Sequence, residues 1–195
     1  LMETLAADYG IAGEGERAFA RLLEELERPA PSLDDIERLH YRVDGTLRSN
    51  GSARELLDID ELPRADRSVL PDRYYTEYGI ESLQTKRGCP LHCEYCTYPL
   101  IEGARSRMRD PARVADEFME VAARKGVEHV FIVDSVFNLP PRHAKAVCRE
   151  LAARGWSDIH AVSRRGAALA HASSHACDLF DAGATKKLLQ EIKPT

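Results

Sequence analysis

The spacing of apolar residues along the chain lays out its elements before any single residue is considered. Residues 8–12 (DYGIA) read as a short buried strand, and GEGE at 13–16 reads as a glycine turn that opens a helix. Ala18, Phe19, Leu22, Leu23 and Leu26 then recur at helical spacing as one apolar stripe, ended by Pro29 and Pro31. Strand, glycine turn and helix in that order serve the ligand-facing edges of open α/β sheets. On their own they read first as a tight turn into a surface helix. Asp44-Gly45, between YRV and TLR, is a strong hairpin signal. Residues 58–75, with Pro63 and Pro71 and little periodicity, read as a linker.

Residues 81–156 are the organised part. Residues 81–86 form a strand, 111–124 a helix, 127–133 a second strand and 141–154 a second helix. Asp110 suits the cap of the first helix and Pro111 its first position, with Val114, Phe118, Val121 and Ala122 on one face. VEHVFIV at 127–133 is a near-continuous apolar run, the pattern of a strand buried on both sides. Ala144, Val147, Cys148 and Leu151 face inward on the second helix, and Gly155 closes it. A βαβα series predicts a parallel sheet or part of a barrel. From residue 157 the pattern loosens. Residues 164–176 show little periodicity, 186–195 form an amphipathic end, and no internal repeat is present.

Composition narrows the class. With 44% hydrophobic and 30% charged residues in 195, a packed core is expected. A formal net charge of −5 gives no footprint for nucleic acid, and no apolar run approaches the length of a membrane span. No nucleic-acid partner, no membrane and a cytoplasmic location are therefore expected. Five cysteines, three of them in one cluster, are not a disulfide framework and point to metal or redox chemistry in a reducing compartment.

That cluster is GCPLHCEYC, residues 88–96, with the spacing Cys89-x3-Cys93-x2-Cys96. Thiolates are soft donors that suit iron–sulfur clusters, zinc or copper(I). A loop this short wraps three corners of a cubane and leaves the fourth iron open to an outside ligand. Gly88 permits a tight turn before the first ligand and Pro90 stiffens the loop. The rival reading is a non-catalytic Cys3His zinc module with His92 as fourth ligand. Cys148 reads as core and Cys177 carries no assignment. Arg105, Arg107 and Arg109 read as a solvated or salt-bridged run rather than a ligand site.

Cys-x3-Cys-x2-Cys with an aromatic (Tyr95) before the last cysteine resembles the radical S-adenosylmethionine (SAM) superfamily. TKRGCPLHCEYCTYP at 85–99, IEG at 101–103 and RMRDP at 107–111 are similar to its cobalamin-type members. GEGE at 13–16, YRVDG at 41–45 and the proline-containing linker are similar to the segment those proteins carry between B12-binding domain and barrel. The resemblance covers about residues 8–156 and fades beyond. It implies an α/β fold: a partial radical SAM barrel over 79–195, preceded by the remnant of a doubly wound B12-binding-like domain over 1–30 and a linker with a hairpin over 31–78. It also implies a [4Fe–4S] cluster on Cys89, Cys93 and Cys96, with SAM at the open iron. Further implications are an external electron donor, a small-molecule substrate and methyl transfer through cobalamin, whose domain is largely missing here. Tyr95 matches the position near the adenine. Asp134, Ser135 and Asn138 match the region that meets the methionine amino group, with Asp134 favoured because a carboxylate suits an ammonium.

The departures shape the expectation as well. The Asp-x-His of this chain, Asp158-Ile159-His160, lacks the glycine of the family's cobalt-ligating motif and does not count toward it. A full barrel takes about 200 residues or more, and only 195 − 96 = 99 follow Cys96. The chain also opens inside a helical-looking segment at 1–7. It therefore reads as a fragment, or as an inactive truncated product. A methylthiotransferase reading ranks low, because residues 1–88 hold none of the three further cysteines that a second cluster needs.

Overall fold

The computed structural model describes residues 2–51, 56–157, 159–166 and 172–193. The chain runs α1 (Met2–Leu5), β1 (Tyr9–Ile11), α2 (Glu16–Leu26), β2 (Leu39–Val43), β3 (Thr46–Ser49), a 3-10 turn (Arg67–Val69), α3 (Asp72–Tyr78), β4 (Ile80–Leu83) and β5 (Lys86–Arg87). It continues through α4 (Tyr98–Glu102), β6 (Arg107–Met108), α5 (Pro111–Ala122), β7 (His129–Ile132), α6 (Pro141–Ala153), β8 (His160–Ser163), β9 (Ser173–Ala176) and α7 (Ala182–Ile192). Two units divide it, residues 1–61 with 87–107 and residues 62–86 with 108–195.

The first unit is built on the expected hairpin. Asp44 and Gly45 both have positive φ, +50° and +78°, as a type I′ turn requires, and Val43 pairs with Thr46 across it. β1 joins β2 antiparallel, with Ile11 opposite Leu39. The strand–glycine–helix segment thus belongs to a three-stranded antiparallel sheet, with a tight turn into a covering helix. Ala18 and Leu22 of α2 pack on Ile36, Leu39 and Tyr41. The single stripe expected on α2 is corrected. Phe19 is 55% exposed, and Leu23 and Leu26 also face outward. Successive helical residues point about 100° apart, so the pairs 18/19 and 22/23 cannot both turn toward one small sheet. Glu25 is inward instead, and it is satisfied there by Arg28 at 2.6 Å and the Ser32 amide at 3.0 Å.

The second unit contains the βα pattern. β4 and β7 pair in parallel, Leu83 opposite Ile132. The core beside them joins Leu83 to Val114, Ala115 and Phe118 of α5 and to Val147 and Leu151 of α6. Trp156 closes this core with its ring edge-on to Phe118 at 5.1 Å. Asp110 caps α5 as expected, accepting from the Ala112 and Arg113 amides at 3.0 Å. The expectation that 127–133 is buried on both sides is corrected. Phe131 is 64% exposed and Ile80 is exposed beside it. Side chains alternate along a strand, and the helical core packs on the face that carries Leu83 and Val130. Two elements were not legible in the pattern. α3 lies partly inside the segment read as linker and buries Tyr75. β8 and β9 pair in parallel where little periodicity is visible. The described strands form no closed barrel.

A buried ion network ties the second unit together. Glu117 accepts from Arg109 at 2.5 Å and pairs with Arg67 at 2.9 Å. Arg109 also donates to the Gln84 carbonyl at 2.8 Å. Burial alone would push the Glu117 carboxyl upward; Arg109 and Arg67 outweigh it and hold the group below its usual range.

Two outcomes follow for the second unit. Leu83→Ala should lose about 2–5 kcal/mol, read from the urea midpoint of Trp156 fluorescence at constant slope, while Phe131→Ala on the open face should lose less than about 1 kcal/mol. Equal losses would show that the core is misplaced. A carboxyl depressed by folding contributes stability that is fully present above its unfolded value, about 4.3 for glutamate, and is lost as pH falls through the folded value. Glu117→Gln should therefore be less stable than the wild type at neutral pH and should flatten the loss of stability below about pH 4.3. Parallel pH profiles would remove this role.

Candidate functional site

The cysteine loop lies in the first unit, and its geometry begins with Gly88. This residue has φ +82°, and a Cβ there would run into the Arg105 carbonyl and lie 3.0 Å from the Gly103 oxygen. Only glycine fits. The Gly88 amide donates to Glu102 Oε2 at 3.2 Å and the Cys89 amide to the Gly103 carbonyl at 3.1 Å. The Cys96 amide bonds back to the Cys93 carbonyl at 3.1 Å, which forms a turn before α4. Cys89 is buried, Cys96 half-buried and Cys93 exposed, and all three are free thiols. As a donor set, three soft, unoxidised thiols on one loop closed at its base fit an iron–sulfur cluster. Among the described residues, no three Cys, His, Asp or Glu side chains are gathered as a metal-holding group. His92 is exposed, and Tyr95 stands 90% exposed on the outer side of the loop.

The base of the loop rests on Glu14, the first glutamate of GEGE. Its carboxylate receives Arg107 through both terminal nitrogens, at 3.0 and 2.5 Å, and the Leu57 amide at 3.2 Å. Arg87, next to Gly88, lies 3.4 Å from the same carboxylate and 2.6 Å from Glu16. Arg107 also donates to the carbonyls of Leu57, at 2.6 Å, and Glu102, at 2.7 Å. Burial would raise the Glu14 carboxyl; the bonds from Arg107, the Leu57 amide and Arg87 bring it below its usual value. The arginine run is therefore largely ion-paired, as expected. Arg107 meets Glu14, Arg109 meets Glu117, and Arg105 is exposed.

Asp134 lies in the second unit with its side chain wholly buried. Oδ1 accepts from the Thr85 amide at 2.8 Å and the Lys86 amide at 3.2 Å. Oδ2 accepts from Thr85 Oγ1 at 2.6 Å and faces Lys86 Nζ at 3.9 Å. Since the Thr85 hydroxyl gives its one hydrogen to Asp134, His143 Nε2, 3.1 Å away, is the donor to Thr85 Oγ1. The carboxylate expected to meet a ligand ammonium accepts three hydrogen bonds from Thr85 and Lys86, with the Lys86 ammonium close by. Ser135 is half-buried and Asn138 exposed. Cys148 is half-buried, and burial raises its thiol; Cys177 is buried, 3.9 Å from Thr185 Oγ1. Asp158 lies outside the described residues, and His160 stacks on His175, with ring nitrogens 2.8 Å apart. Sequence patterning does not single out Glu14 as a partner of the loop, or Thr85 and His143 as partners of Asp134. The signal for Glu14 was present in GEGE, which reads by itself only as a turn.

The comparisons with known proteins agree with this loop. Residues 83–175 match the family model of the Radical SAM superfamily, 175 − 156 = 19 residues beyond the point where the pattern reads as fading. This stretch is a radical SAM segment. The resemblance is to the cobalamin-dependent radical SAM proteins, and the fold is of their α/β type. The cobalamin-dependent radical SAM methyltransferase TokK of Streptomyces tokunonensis is 35% identical over 152 residues, 73% of this chain and 22% of that protein. The tryptophan 2-C-methyltransferase of Streptomyces laurentii is 37% identical over 99 residues, 48% of this chain and 16% of its own length. The radical SAM methyltransferase TsrM of Kitasatospora setae, solved with tryptophan substrate and a SAM analogue, superposes with a TM-score of 0.67 at 27% identity, covering 80% of this chain and 31% of that one. The chain thus spans less than a third of these relatives.

Removing Asp134 should leave two buried amides and Lys86 unmet. Asp134→Ala is expected to cost about 3–5 kcal/mol, and Asp134→Asn, which keeps shape and loses charge, about 1–3 kcal/mol, both measured by urea unfolding through Trp156. Variants within about 0.5 kcal/mol of the wild type would mean that the carboxylate holds nothing.

Proposed function

We propose that this chain binds a [4Fe–4S] cluster through Cys89, Cys93 and Cys96, holds S-adenosylmethionine at the open iron, and takes part in cobalamin-dependent methyl transfer to a small-molecule substrate. The observation that carries the reading is the loop itself: three free thiols at Cys-x3-Cys-x2-Cys spacing, closed at its base by Gly88, inside the matched segment. When bound, the cluster would supply electron-transfer chemistry to SAM, fed by an external donor, and cobalamin would carry the methyl group.

The chain's own residues have separable parts in this. Cys89, buried at the loop's closed end, and Cys96, in the turn before α4, are the better shielded ligands; Cys93 is the exposed one. Tyr95, free of packing, is available to the adenine. Asp134, Ser135 and Asn138 are the candidates for the methionine amino group, and Asp134 also holds Thr85 and Lys86. Cobalamin comes to this reading from relatives such as TokK, and the small-molecule class from TsrM, solved with tryptophan. The division into a B12-binding-like remnant over 1–30, a linker over 31–78 and a partial barrel over 79–195 belongs to the same proposal, as does a cytoplasmic location. No helix among the described residues is long and apolar enough to cross a membrane.

Anaerobic reconstitution with iron and sulfide, followed by EPR of the dithionite-reduced protein with and without SAM, tests the reading. A [4Fe–4S]+ signal that changes on adding SAM is expected. Stoichiometric zinc uptake with no cluster signal would replace the proposal with a Cys3His module. A cluster indifferent to SAM would remove SAM binding from it.

A further inference from the structure

Both ends of the cysteine loop carry a cation. Arg87 precedes Gly88 and Cys89, and Arg107 ends the loop after α4. The two arginines meet at one carboxylate, that of Glu14, whose side chain is only 4% exposed. Oε1 faces Arg87 at 3.4 Å and Arg107 at 2.5 Å, while Oε2 takes Arg107 and the Leu57 amide. From Arg107 the bonding continues to the Glu102 carbonyl, and from the Glu102 carboxylate to the Gly88 amide, one residue before Cys89. Glu16 also pairs with Arg87, but it is far more exposed. Arg107 Nε is buried without a partner, so the guanidinium charge depends on its two terminal nitrogens and on Glu14.

We infer that Glu14 is a positioning residue, which holds the two ends of the cysteine loop together and so sets the arrangement in which Cys89, Cys93 and Cys96 receive their cluster. The part that concerns the cluster rests on the function proposed above; the part that concerns the loop does not. Without Glu14, Arg107 loses the carboxylate that meets both its terminal nitrogens, and the link from that end of the loop to Arg87 is gone. The loop opens at Gly88, and the cysteines lose their common frame. Glu14 lies outside the segment that matches the superfamily model, so the chain's N-terminal part contributes directly to the loop.

The test compares wild type, Glu14→Ala, Glu14→Gln and, as control, Glu61→Gln, which breaks an exposed ion pair in the same unit. Hydrogen exchange is followed in the apoprotein, and iron content and EPR after anaerobic reconstitution. Amide exchange over 88–103 should rise about tenfold or more in Glu14→Ala, with α5 and α6 unchanged. Iron content should fall by about half or more, and any cluster that does form should lose its spectral response to SAM. Glu14→Gln keeps the volume and the Leu57 contact, so it should fold and show the same changes in smaller degree. Glu61→Gln should match the wild type. Wild-type loop exchange in both Glu14 variants would overturn the inference, and so would normal iron content with an unaltered EPR response. If the wild type itself takes up no cluster, the functional reading fails, and loop exchange alone then decides the positioning role.

Discussion

Asp134 carries a charge into a place without water, and the surrounding chain is arranged to meet it. Two backbone amides, a hydroxyl and, further off, an ammonium face its two oxygens. Burying a carboxylate is costly unless donors replace the water it loses. Asp134, two positions past the end of β7, therefore dictates where Thr85 and Lys86 lie, and with them how the chain leaves β4. The same constraint recurs at Glu117, which gathers Arg67 and Arg109, and at Glu14, which gathers Arg87 and Arg107. Each of these carboxylates joins segments far apart in sequence, a link that local patterning does not predict. Hydrophobic packing places the helices against the sheets; the buried acids fix the connections.

That distinction explains what could be read from the residues. Local rules were legible because their causes are local. Asp44-Gly45 has the positive φ values its turn type needs, Asp110 caps the helix that begins after it, and three cysteines within eight positions announce soft-metal chemistry. The faces of elements were less legible, because a face is buried only where a neighbour covers it. Phe19, Leu23 and Leu26 repeat at helical spacing as well as Ala18 and Leu22 do, yet the sheet beneath α2 covers only the second set. VEHVFIV is apolar enough for a strand covered twice, and the helical core meets one face. β8 and β9 carry short, mixed sequences whose pairing is a tertiary outcome.

Asp134 shows the same limit at the site. A carboxylate at the end of a strand in an α/β protein invites assignment to a ligand, because strand ends build such sites. Sequence cannot reveal that Thr85, 49 positions earlier, already supplies an amide and a hydroxyl to it. With His143 Nε2 3.1 Å from the same hydroxyl, the group is a connected network that joins β4, the end of β7 and α6. A network of this kind holds geometry well. Ser135 and Asn138, at and beyond the network's edge, keep polar atoms uncommitted to Thr85 and Lys86.

The cysteine loop is held on a different principle. Gly88 sits against the Arg105 carbonyl, so its constraint is steric and tolerates no side chain. Glu14 acts through charge, and the two glycines beside it account for its direction. Gly13 takes φ +76°, and the turn it makes sets a buried glutamate between an exposed glycine and a partly exposed one. A Cβ at Gly13 would clash only with the flexible end of Arg38, at 2.5 Å, so the positive φ rather than a backbone clash calls for glycine there. GEGE is then more than a helix start. Its glycines shape a backbone that aims one carboxylate inward, and that carboxylate meets the arginines at both ends of the loop. Steric closure at Gly88 and electrostatic closure at Glu14 act on the same short stretch before Cys89, which is why the first cysteine is the buried one of the three.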